Sequence, residues 1–143
     1  MHKRKLIREE IVNALKNELT LVAPTSVFES RVEPIFQSSL LPAIAVYTRE
    51  ETAERFASGS VAYVRSLSLA VEILVQGNSD SDDSIDAICE EIEAALNSAK
   101  YERSANYNAI EYQGTDVAFI AEGRTPKAAA RLNYQIDYET EEI

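Results

Sequence analysis

The residues of this 143-residue chain that could do chemistry are few and mostly stand alone. Asp80, Asp82, Asp83 and Asp86 form the densest acidic run, just after Asn78. Calcium loops take oxygen ligands at alternate positions, with a glycine at loop position six and a bidentate glutamate at position twelve. That glycine and that glutamate do not occur together here, so capping and solvation of a helix start account for the aspartates. Two glutamate groups, Glu50, Glu51 and Glu54 with Glu90, Glu91 and Glu93, could be imagined as a carboxylate metal site. They read better as solvent-facing charge on a connector and on a helix. The one histidine, His2, sits next to the initiator methionine, where nothing is expected to hold it. Its position removes the common general base and metal ligand. Cys89 lies beside Ile88 in an apolar helical stripe, as a small core residue rather than a nucleophile. No Gly-rich phosphate loop, HExxH, CxxC or GxSxG element is present. The expectation is no enzyme, with no catalytic residue, no cofactor and no metal ligand.

Composition points the same way. The formal charge of −10 argues against binding nucleic acid through its phosphates. Basic residues are dense only at Lys3, Arg4, Lys5 and Arg8, which read as a solvated first helical turn. No apolar run approaches the ~20 residues of a membrane span. Charges interrupt the opening MHKRKLIREEI, so it does not read as a secretory signal. A single cysteine excludes an internal disulfide framework and suits the cytoplasm. Of seven tyrosines, Tyr101, Tyr107, Tyr112, Tyr134 and Tyr138 fall in or near the later strands. They fit either sheet packing or a protein–protein interface.

The stretch that must organise the rest is Leu41–Gly77. From Arg65, strict alternation sets Leu67, Leu69, Val71, Ile73 and Val75 against Ser66, Ser68, Ala70 and Glu72, a half-buried strand. At ~3.3 Å per residue, Val61 to Val75 would span roughly 50 Å, past the usual strand length in a small domain. Part of it is therefore expected to project as a hairpin arm, residues 47–64. A strand Ala43–Tyr47, opened by Pro42, enters this arm. Arg49–Ser60 between the strands reads as a mobile connector with one large apolar residue, Phe56. Around this unit lie a helix from Lys3 to Leu19, striped by Ile7, Ile11, Leu15 and Leu19, and a short strand in Val27–Val32. A second helix, Asp82–Ser98, is striped by Ile85, Ile88, Ile92 and Leu96. Lys100–Asn108 has loop composition. A strand Ile110–Ala121 follows, bent near Gly114, and Gly123–Pro126 turns the chain into a last strand, Ala129–Tyr138. The tail ETEEI carries no reason to be ordered. The order α-β-β-β-α-β-β predicts one α+β domain over residues 1–143, with a mostly antiparallel sheet and both helices on one face.

The same residues carry a resemblance. RKLIREEIVNALKNEL, VFESRVEP, LPAIAVYTREE, RSLSLAVEILVQG, DDSIDAICEEIEAAL and RLNYQIDYE follow one another as in the tail terminator proteins of long-tailed phages, the lambda minor tail protein U family. The chain departs from better-known members in a longer stretch around Tyr101–Gly114 and in having no tryptophan. The resemblance implies a structural assembly protein of a phage or prophage, made in the host cytoplasm and ending in the virion tail. It implies a hexameric ring of this chain on the end of the tail tube, which stops tube polymerisation and offers a surface for head joining. The implied partners are other copies of the chain, the tail tube protein and a head-completion protein, with no sequence-specific nucleic acid and no membrane. Arg49, Glu50, Glu51, Glu54, Arg55 and Phe56 are the candidate interface residues. The alternatives are another neck, tail-completion or connector protein and, from a different class, a small divalent-metal-binding domain.

Overall fold

The computed structural model describes residues 2–29, 41–57, 59, 62–120 and 127–141. The elements run in the order α1 (Lys3–Glu18), β1 (Val27–Phe28), β2 (Ala43–Arg55), β3 (Ala62–Gln76), α2 (Ser81–Leu96), β4 (Ala109–Ile120) and β5 (Lys127–Glu141). This is the expected α+β order. The strands form one sheet in the order β1-β2-β3-β5-β4. The short β1 runs parallel to β2, and every other neighbouring pair is antiparallel.

Both helices bury their stripes against the same face of the sheet. Ile7, Ile11 and Leu15 of α1 and Ile85, Ile88, Ile92 and Leu96 of α2 form one core. That core includes Leu67, Leu69, Val71, Ile73 and Val75 of β3 and Leu132, Tyr134, Ile136 and Tyr138 of β5. The period-2 pattern of the two long strands thus reports the face that the helices cover. On the other face the described apolar cluster is small, built on Ala43 and Ala45 with Phe28, Leu41 and Tyr47 against them.

Three expectations needed correction. Arg49–Arg55 is strand rather than mobile connector: β2 pairs with β3 as far as Arg55↔Tyr63. A polar run with one large apolar residue, Phe56, reads locally as a connector, yet pairing along a thirteen-residue strand overrides weak local propensity. The tail is also ordered through Glu141, because β3 offers it pairing partners up to Ala62↔Glu141. The long β2–β3 hairpin is therefore backed by β5 along the whole of β3. The third correction is His2, which is held in place: its Nδ1 accepts the Arg4 N–H at 3.0 Å as the N-cap of α1. Its pKa is lowered by burial and by the nearby charges of Arg4 and Arg65, consistent with a neutral acceptor.

The bend near Gly114 is a β-bulge, where the register with β5 slips between Tyr112 and Gly114. Gly114 has φ +143, a backbone conformation that side chains disfavour. Residues 30–32 of the short-strand expectation and the turn Gly123–Pro126 lie outside the described residues. At the start of α2, Asp80 is the N-cap but makes no side-chain cap bond. The buried Ser81 ties the turn instead: its Oγ accepts the Asn78 N–H at 2.7 Å and donates to the Asn78 or Gln76 carbonyl.

Candidate assembly interface

The six residues expected at an interface separate into three environments along β2 and its turn. A second bulge, between Thr48 and Glu50, decides which. Val46 faces the helices, so unbroken alternation would turn Glu50 toward them as well. The extra residue shifts the phase, and Glu51, opposite Leu67, takes that side instead.

Glu51 is consequently a tie inside the molecule. Its Oε2 accepts from Arg4 Nη1 at 2.7 Å and from Arg65 Nη1 at 2.9 Å, and its Oε1 accepts a short hydrogen bond from the Tyr138 hydroxyl. The Glu51 side chain is 11% exposed and that of Arg65 12%. Arg65 Nε donates to Thr140 Oγ1 at 2.7 Å. One carboxylate thereby joins the start of α1 to β2, β3 and β5. Burial opposes charge on Glu51, but the hydrogen bonds from Tyr138 and Arg65 and the charges of Arg4 and Arg65 outweigh it. The net effect lowers its pKa. Arg4, Arg65, Tyr138 and Thr140 were not candidates from the sequence, since no spacing rule links positions so far apart.

Arg49 and Glu50 belong to the helix-free face. Arg49 Nη1 donates to Asn133 Oδ1 at 3.2 Å, and Asp116 accepts from both Arg131 and Asn133 at 3.2 Å. The hydrogen bonds from Asn133 and Arg131 hold the Asp116 carboxyl below its usual range. Glu50 borders a shallow recess with Thr52, Ser66, Ser68 and Gln135. The Tyr47 hydroxyl donates to Glu72 at 2.6 Å on the same face. Glu54 and Arg55 are exposed near the hairpin end. Phe56 is 60% exposed beyond them, and Gly59 turns the chain with φ +81. Phe56 edges an open cleft of about 850 Å³ with Lys3, Asn106, Tyr107, Glu139 and Glu141.

The tyrosines resolve toward packing. Tyr107, Tyr134 and Tyr138 are each 1% exposed, and Tyr101 and Tyr112 lie partly buried against the core. Cys89 is partly buried, and burial raises its thiol pKa to about 11, which disfavours the thiolate. Among the described residues no three His, Cys, Asp or Glu side chains gather as metal ligands. No helix among them is long and apolar enough to cross a membrane.

No curated protein matches the chain. A family model described as phage minor tail protein U matches residues 2–138, from the cap of α1 into β5. With that match spanning both helices and the sheet, the chain belongs to the phage minor tail protein U family and is a structural component of a phage tail.

Proposed function

We propose that the protein is a tail terminator: a ring of its copies caps the tail tube, stops tube polymerisation and presents the surface to which the head joins. The observation that carries this reading is the family match over residues 2–138. Its partners are further copies of the chain in a hexamer, the tail tube protein and a head-completion protein, with assembly in the bacterial cytoplasm. The exposed end of the β2–β3 hairpin, with Glu54, Arg55 and Phe56, supports a role for that region in contacts. So does the charge of −10, which suits a ring that DNA passes without sticking.

The test is tube growth. Tail tube protein from the same genome is polymerised with and without this protein, and negative-stain images give tube lengths and end shapes. Capped tubes of restricted length, each with a ring at one end, are expected. Unrestricted tubes with bare ends would reject termination. Binding to heads without binding to tubes would favour a neck or head-completion role instead.

A further inference from the structure

Both margins of the sheet are open among the described residues. β1 pairs only with Ile44 and Ala45, so among the described residues Thr48–Arg55 of β2 has no strand on its outer side. At the opposite margin β4 pairs with β5 alone, leaving the outer side of Ala109–Ile120 unpaired. Such edges invite another strand unless they are short, charged (above all with lysine), bulged, interrupted by proline or covered. β4 runs on through Thr115–Ile120 beyond its bulge at Tyr112/Gly114. β4 has neither lysine nor proline, its charges are Glu111 and Asp116, and Val117 is 63% exposed.

Their directions fit each other. β2 and β5 both run opposite to β3, and β4 runs opposite to β5. The two margins therefore run in opposite directions. When copies stand side by side in one orientation, β2 of one meets β4 of the next as an antiparallel pair, the more stable ladder. Charge selects among the pairings. Two β4 edges would bring Glu111 and Asp116 against the same acids of the other copy. With Glu51 held by Arg4 and Arg65 inside the molecule, the β2 edge instead offers Arg49 and Arg55 beside Glu50 and Glu54, so it is less acidic than β4. The backbone phase is also readable. Phe56 N–H donates to Ala62 O at 3.0 Å across the hairpin, so alternation points the backbone groups of Arg55, Ala53 and Glu51 outward.

We propose that Thr48–Arg55 of one copy pairs with β4 of the next, joining successive sheets head to tail around the ring. This rests on the terminator reading, which supplies the ring. A head-to-tail contact of this kind closes when its rotation divides a full turn. Strand addition draws its affinity from main-chain hydrogen bonds, which explains how a polar β2 edge serves as an interface without an apolar patch.

Two measurements test the pairing on rings assembled at tube ends. In a Cys89→Ser background, Thr52→Cys is combined in turn with Ala109→Cys, Glu111→Cys and Ala118→Cys. Within one chain Thr52 and Ala109 are separated by β3 and β5, about 14 Å at the spacing of sheet strands. That is beyond disulfide reach, ~7 Å between Cα atoms, so an oxidised bond reports contact between copies. Covalent multimers up to the ring size are expected from at least one pair. The second variant is Ala53→Pro, which removes only an outward N–H and is tolerable in an edge strand. It should reduce ring yield at least tenfold while its melting curve stays that of the parent. Rings that yield no cross-link with any of the three pairs, or an Ala53→Pro protein that forms rings normally, would overturn the pairing and leave termination standing. Tubes left without rings by the parent protein would overturn both.

Discussion

Glu51 is the residue where placement changes meaning most. It stood among the solvent-facing charges, yet it accepts from Arg4, Arg65 and Tyr138 and is almost covered. Its folded pKa lies below the ordinary 4.5, so its contribution is present in full above 4.5 and is lost as pH falls below that. Glu51→Gln should therefore cost about 2 kcal/mol near neutral pH, the scale of a charge-assisted hydrogen-bond group. The difference from the parent should shrink between roughly pH 4.5 and the folded pKa. Urea titrations of both proteins at several pH values check this. An unchanged difference at low pH would show that the ionised carboxylate is not the source.

At the scale of elements, the two bulges set what each strand presents. Gly114 occupies φ +143 with nothing within 4 Å of an added Cβ. Gly114→Ala should therefore destabilise through backbone strain alone, by about 1–2 kcal/mol, visible as a lower melting temperature. A neutral result would mean that the bulge relaxes to accept the side chain. In the centre of β3, Ile73 is fully buried between the helices and the sheet. Ile73→Asp places an unpartnered carboxyl there and should abolish cooperative unfolding, a loss above about 4 kcal/mol. A melting transition like the parent's would place that strand face outside the core.

Across the whole molecule, strand register gathers Glu50, Glu72, Glu111, Asp116 and Asp137 on the helix-free face with Arg131, and Arg49 reaches Asn133 there. Local ion pairs offset part of that acidity, but the whole chain keeps its charge of −10. The protein is accordingly expected to leave double-stranded DNA unshifted in a gel even at low salt, where phosphate binding is strongest. Retardation at low salt would reveal a basic surface strong enough to override the net charge.

Local pattern along the chain carries the α+β order and the faces that α1, α2, β3 and β5 bury, and the succession of whole segments carries the family resemblance. The order and the buried faces follow from local periodicity: every third or fourth residue in Lys3–Glu18 and Ser81–Leu96, and every second in Leu67–Val75 and Ala129–Tyr138. Gly114 signalled its own bend because glycine marks positions that other residues avoid. Only the tertiary structure decided that Arg49–Arg55 and Glu139–Glu141 are strand, since each is ordered by a neighbour distant in sequence. It also decided that Glu51 turns inward at the Thr48/Glu50 slip, a one-residue change of phase that no local pattern announces.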